Sequence, residues 1–251
     1  MNLAEQSWTH VRAALAAGKP VVAVLPCGAT EAHGPHLPLN TDVIISEGMA
    51  RRAAAALNGL GVHTYVLPPL SYAPAEYAAE FSGTITIGAA TFKSLLIDIV
   101  RNLKAQGFAC LAIANSHFDP ANVAVLREAV DDVRASGFAV AFPDFTRRNL
   151  AQTLTEEFVS GACHAGQFET SLVMTDRPDL VDEAARASLA SNPASLLTAF
   201  ATGAKTFTEA GGPHAYFGDP AAATAQEGER TFEILQNALV VAVQETLARI
   251  P

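Results

Sequence analysis

The sequence predicts an α/β fold with a largely parallel central sheet. Short, unbroken apolar runs rich in β-branched residues alternate with amphipathic helical stretches along the whole chain. The runs are continuous and not alternating, as in strands covered by helices on both faces. The chain has 251 residues, 50% hydrophobic and 16% charged. A globular chain of that size buries about 70% of its surface in one core, so a single domain spanning 1–251 is expected.

The elements follow in order. Ala4–Ala17 reads as an amphipathic helix stopped by Gly18-Lys19-Pro20, and Val21–Leu25 as a buried strand bounded by Pro26. Ile44–Leu57 is an Ala-rich helix, Val62–Leu67 a second strand closed by Pro68-Pro69, and Thr84–Ile87 an alternating run that reads as a third. Phe92, Leu95, Leu96, Ile99, Val100 and Leu103 recur at helical spacing across Thr91–Gln106, and Gly107 ends that helix. Phe108–Ala114 is a strand, Pro120–Ala135 a helix ending before Gly137, and Phe138–Phe142 another strand. A helix starts over Glu169–Met174, and Glu227–Ala248 closes the chain. Ala184–Gly212, rich in Ala, Ser, Thr and Gly, is the weakest-patterned part and is expected to include a long surface excursion.

Charge narrows the function classes. Sixteen basic against 25 acidic side chains give a net charge of −9, and no basic run appears. This argues against nucleic acid and anionic membrane as partners. The N-terminal stretch has no basic-then-apolar leader, and no apolar run reaches the roughly 18 residues that span a bilayer. Three cysteines, Cys27, Cys110 and Cys163, are widely spaced with no C-x-x-C. That usage fits a reducing cytoplasm.

In parallel sheets, ligands bind beyond the carboxyl ends of the strands. Two strands here run into polar clusters. The first is Cys27-Gly28-Ala29-Thr30-Glu31-Ala32-His33-Gly34-Pro35-His36, with Asp42 nine residues past His33. Glu31 and His33 are two apart, so in an extended loop their side chains share a side. The second, Asn115-Ser116-His117-Phe118-Asp119, repeats the spacing with His117 and Asp119. Carboxylate and imidazole donors suit Zn²⁺, Mn²⁺ or Fe²⁺. Five donors exceed what one tetrahedral ion needs and serve two divalent metal ions if one carboxylate bridges. A third cluster, Cys163-His164-Ala165-Gly166-Gln167-Phe168-Glu169, reads as a loop entering a helix. There His164 is a candidate acid/base. Glu169 is either a helix-start carboxylate or a partner of the metal site. Cys163 beside His164 leaves a thiol hydrolase open, and a non-catalytic metal-binding protein is a further alternative. No G-x-S-x-G, Walker loop or G-x-G-x-x-G is present.

These stretches resemble the creatininase family of metal-dependent amidohydrolases. Leu25 to Asp42 is similar to the family's first metal-binding motif almost throughout. Phe81-Ser82-Gly83-Thr84 resembles its Phe-Pro-Gly-Thr element, and Asn115-Ser116-His117 its Asn-Gly-His motif. His164-Ala165-Gly166 through Glu169-Thr170-Ser171 resembles its His-Ala-Gly-x-x-Glu-Thr-Ser element. The resemblance implies a three-layer α/β/α arrangement and a symmetric homo-oligomer, often a hexamer. It further implies metal ligands Glu31, His33, Asp42 and His117, with Asp42 bridging two ions that activate a shared water, and His164 in proton transfer. Asp119 falls where creatinine-hydrolysing members place a Glu ligand and is one methylene shorter. Gly161-Ala162-Cys163 replaces the aromatic and acidic residues those members carry before the histidine, which argues against creatinine itself. The expected activity is hydrolysis of a C–N bond in a small non-peptide amide or cyclic amide. Formamide cleavage and peptide trimming are the family alternatives. Phe118 and Cys163 are expected at the substrate, Glu169 beside His164 in catalysis, and Tyr72, Glu76, Tyr77 and Glu80 around the mouth.

Overall fold

The computed structural model describes residues 1–250. Strands β1 (Val21–Cys27), β2 (His63–Val66), β3 (Cys110–Asn115) and β4 (Ala139–Ala141) lie parallel in the order β2-β1-β3-β4. Helices α1 (Trp8–Leu15), α2 (Thr41–Gly59), α3 (Ala89–Gln106) and α4 (Pro120–Ala135) intervene or precede. Short helices α5 (Arg148–Ala151) and α6 (Glu156–Ser160) follow β4, then α7 (Gln167–Asp176), α8 (Glu183–Ser188), α9 (Leu196–Thr202) and α10 (Ala225–Leu247).

The strands do alternate in facing, but both faces are apolar. Val22 and Val24 of β1 join Met49, Leu57, Leu172 and Phe232 in one core layer, under α2, α7 and α10. Val21, Ala23 and Leu25 point the other way, to Phe92, Leu96 and Leu126 of α3 and α4. This produces the expected three layers and explains why β1 reads as a continuous run.

The connections place the site. β1 passes through α2 to β2 on one side, while β3 passes through α4 to β4 on the other, with the two helices on opposite faces. The winding therefore reverses between β1 and β3, whose last paired residues are Cys27 and Asn115. A crevice opens at such a switch point, beyond the strand ends.

One expectation is corrected. Thr84–Ile87 forms no strand. Its backbone bonds to loops instead, with Ile85 N donating to the Thr30 carbonyl (2.9 Å) and Ile87 N to that of Ala73 (3.3 Å). The Thr84 hydroxyl accepts from Ala32 N (3.0 Å). Much of Ala184–Gly212 lies at the surface as expected, but part of it is packed inward. Its Leu196, Ala199, Phe207 and Ala210 are buried with Ala32, Ala78, Ala162 and Phe217 in a third cluster over the strand ends. Within this stretch, α9 spans only seven residues, too short for its period to stand out in the sequence. Helix limits move by a few residues: α2 begins at Thr41, ahead of its apolar run, and α1 at Trp8, capped by Ser7.

Candidate metal centre

Beyond the ends of β1 and β3, six side chains converge. Glu31 and His33 lie on the loop leaving β1, Asp42 in the first turn of α2, and His117 just past β3. His164 and Glu169 lie on the loop and first turn of α7. All six are between 0% and 7% exposed. Gly28 makes the approach of α2 possible, because a Cβ there would sit 2.7 Å from the Asp42 carbonyl carbon and the Val43 nitrogen. Ser116 Oγ donates to the Asp42 carbonyl (2.6 Å), tying β3 to the start of α2.

Each histidine has one ring nitrogen committed to a backbone carbonyl. His33 Nδ1 meets Glu31 O (3.1 Å), His117 Nε2 meets Pro74 O (2.7 Å) and His164 Nε2 meets Ala32 O (2.9 Å). A carbonyl only accepts, so each of these nitrogens carries the hydrogen and the other turns its lone pair inward. Those inward nitrogens face carboxylates. His33 Nε2 lies 3.3 Å from Asp42 Oδ1 and 3.5 Å from Glu169 Oε2. His117 Nδ1 lies 2.9 Å from Asp42 Oδ2 and 3.2 Å from Glu31 Oε1. His164 Nδ1 is 3.8 Å from Glu31 Oε1. Three triads have the spacing to hold an ion: Glu31, Asp42 and His117; His33, Asp42 and Glu169; and Glu31, His33 and His164.

The donor set fits divalent metal. His33 Nε2 and Asp42 Oδ2 are buried without an aligned hydrogen-bond partner, a costly arrangement unless a cation sits among them. The electrostatics agree. Burial disfavours charge on His33, but Asp42, Glu169 and Glu31 outweigh it and push the imidazole up to about 10. On His117, Glu31 and Asp42 likewise overcome burial and hold its pKa well above the usual range. Burial, with Asp42 and Glu31 close by, pushes Glu169 up to about 8 against the pull of His33. The carboxylates thus call for positive charge at this place. His164 goes the other way, held well below its usual range by burial and by His33.

The loop carrying His164 and Glu169 is clamped. Ala165, at φ 50°, turns its N–H onto Glu169 Oε2 (2.6 Å). The Glu157 carboxylate of α6 accepts from Gln167 N (3.0 Å), Phe168 N (2.8 Å) and Asp219 N (2.7 Å). Gly218, at φ 89°, leaves room for that carboxylate, which a Cβ would strike.

Of the residues singled out in the sequence, Glu31, His33, Asp42, His117, His164 and Glu169 are brought together. Glu169 stands in a triad with His33 and Asp42 that has the spacing to hold an ion. Asp119 lies outside all three triads. Its Oδ1 caps α4 by accepting from Ala121 N (2.7 Å), while Oδ2 is buried and unpartnered. Phe118, Cys163 and Tyr77 line the cavity over the centre. Tyr72, Glu76 and Glu80 do not: Tyr72 is exposed, and Glu80 accepts from Thr208 N (2.9 Å). Burial, with Glu169 and Glu157 nearby, pushes the Cys163 thiol well above its usual range, which disfavours a thiolate nucleophile. Sequence reasoning missed Phe207, whose ring lies 4.3 Å from that of His164. It also missed Asn122, which joins Asn115 in donating to the His117 carbonyl, each at 2.8 Å. Phe207 carries no periodic signal. Asn122 sits one turn into a well-marked helix and could have been suspected from its polar character there.

Fold and site together define a class: α/β enzymes with a nest of carboxylates and imidazoles for metal at the sheet's switch point. A family profile described as "Creatininase: Creatinine amidohydrolase" matches residues 4–243. The chain is 33% identical over 214 residues to the mycofactocin precursor peptide peptidase of Mycobacterium ulcerans (strain Agy99), covering 83% of this chain and 79% of that protein. It is 31% identical over 196 residues to the creatinine amidohydrolase of Pseudomonas putida, covering 71% and 72%. A solved structure of the manganese form of creatininase superposes with a TM-score of 0.75 at 26% identity, covering 97% of each chain. The chain belongs to the creatininase family, metal-dependent hydrolases of C–N bonds other than peptide bonds. No helix among the described residues is long and apolar enough to cross a membrane.

Proposed function

We propose that this chain hydrolyses a C–N bond of a small non-peptide amide or cyclic amide, with two divalent ions of zinc, manganese or iron type. The observation that carries the reading is Asp42, which turns Oδ1 toward His33 and Oδ2 toward His117 (3.3 and 2.9 Å). One ion would be held by Glu31, Asp42 and His117, the other by His33, Asp42 and Glu169, with Asp119 reaching the second through water. When bound, such ions supply Lewis acidity that lowers the pKa of water toward neutrality and polarises the amide carbonyl.

The chain's own groups do the rest. His164 is neutral with its Nε2–H on Ala32 O, so Nδ1 is free to take a proton from the attacking water and return it to the leaving nitrogen. Phe207 packs on the His164 ring, holding it in place and keeping bulk water from it. Phe118 and Cys163 border the space the substrate enters. All three cysteines are free thiols, which supports a cytoplasmic setting. A symmetric homo-oligomer, the hexamer included, is part of the proposal, and sedimentation measures it.

The test is metal analysis of protein purified without chelator, joined to a hydrolysis screen of lactams, hydantoins, formamides and small peptides. The expected result is two ions per chain and turnover of a non-peptide amide, both lost in Asp42→Ala. Full metal and activity in that variant overturns the scheme. Metal binding with no turnover would indicate a non-catalytic protein. A second reading, trimming of a peptide precursor, draws support from the identity to the mycofactocin precursor peptide peptidase. Turnover confined to the peptides in the screen would favour it.

A further inference from the structure

The cavity over the metal-site carboxylates encloses about 380 Å³, within the range of pockets that enclose a drug-sized ligand. Its charge is sharply divided. Glu31, Asp42, Asp119 and Glu169 contribute carboxylates, and Arg148 is the one Lys or Arg in the lining. Much of the remaining wall is apolar, built from Phe118, Phe158, Phe200, Leu196 and Leu197. Leu197 is 60% exposed, so the apolar wall continues to the rim.

The exposed Arg148 side chain has no hydrogen-bond or ion-pair partner among the described residues, in a chain with 25 acidic and 16 basic side chains. Its own loop explains why. Asp144, the nearby anion, is taken up by Arg127 Nε (2.8 Å) and Arg147 Nε (3.2 Å) on Oδ2, and by Thr146 N (3.1 Å) on Oδ1. Those bonds fix the loop and leave the next arginine facing the cavity unpaired. An unpaired guanidinium at the start of α5 is available to a carboxylate, which it meets through two parallel N–H donors.

We propose that the cavity takes a carboxylate-bearing amide with a bulky apolar side chain, of the N-acyl amino acid class, and that Arg148 receives the carboxylate. For turnover, though not for binding, this rests on the hydrolase reading above. Arg148 attracts the anionic end, and the apolar wall takes the side chain. The amide is thereby presented to the metal centre. Water adds its OH to the acyl carbon, the C–N bond breaks, and the remaining proton goes to the nitrogen. The products are a carboxylic acid and a free amino acid.

The test uses the metal-loaded full chain with N-acetyl-L-phenylalanine, its carboxamide and N-acetylglycine, measuring calorimetric binding and steady-state turnover. The native chain is expected to bind and cleave N-acetyl-L-phenylalanine in preference to both others. In Arg148→Ala the KM and Kd for it rise about 10- to 100-fold, the range for losing hydrogen bonds to a charged group, with kcat changed far less. The preference for acid over carboxamide collapses, and Arg148→Lys restores part of it. Equal handling of acid and carboxamide by the native chain, no binding of either, or an unmoved KM in Arg148→Ala overturns the inference. Arg148-dependent binding without turnover leaves this assignment standing and counts against the hydrolase reading. Efficient turnover of the carboxamide alone does the reverse.

Discussion

His164 holds one nitrogen against the Ala32 carbonyl and offers the other to the centre, with Phe207 on its face. Its removal is therefore expected to leave metal content intact while lowering kcat about 10²–10⁴-fold, the usual contribution of a proton-transfer group. Elemental analysis beside steady-state kinetics of His164→Ala checks this. Asp119 does two jobs at once, since Oδ1 caps α4 and Oδ2 lies unpartnered. Asp119→Ala should lower stability by about 1 kcal/mol through the lost cap. It should also weaken the second ion more than the first, read by urea unfolding and by metal titration. Individual residues differed in how far the sequence revealed them. Glu31, His33, Asp42 and His117 were legible because donors of the right type sit at the ends of recognisable strands. Glu169 was legible as a participant with its role left open, since a helix-start carboxylate looks the same whether or not it faces an ion. The capping by Asp119 was hidden because a cap depends on the φ and ψ of one junction.

At the scale of elements, the junction from α6 to α7 shows how a distant carboxylate holds the site. Glu157 satisfies three backbone N–H groups at the start of α7 and on the loop at Asp219. Glu157→Ala leaves these donors without their acceptor, and each buried unsatisfied group costs about 1–3 kcal/mol. The expected outcome is a clear drop in the urea midpoint together with weaker metal retention, because Glu169 rides on the same turn. An unchanged midpoint would count against the clamp. Regular elements were legible wherever packing imposes a period: α4 runs over Pro120–Ala135 as read, and β1 to β4 lie within a few residues of their expected limits. Thr84–Ile87 failed because alternation reports two faces and says nothing of a partner strand. α9 went unread because its seven residues are too few for a helical period to stand out.

For the whole molecule, the donors span Glu31 to Glu169 and meet only when β1, β3 and the start of α7 are assembled. An ion that binds the folded chain and not the unfolded one stabilises it by mass action. Chelation is expected to lower the thermal midpoint, and restored zinc or manganese to return it. A scan unmoved by either would mean that the centre holds no ion. The layer arrangement could be inferred from the alternation of elements. That β1 and β3 are neighbours could not, because strand order is set by long-range packing and not by any local pattern. For the same reason Arg148 drew no notice: an arginine after a short strand gains meaning only once Asp144 is seen to be occupied. The carbonyl anchors on the three imidazoles carry one last consequence. Because main-chain carbonyls grip the outer edges of these rings, a substitution that shifts the peptide at Pro74 would swing the His117 nitrogen off its mark without touching a single ligand side chain.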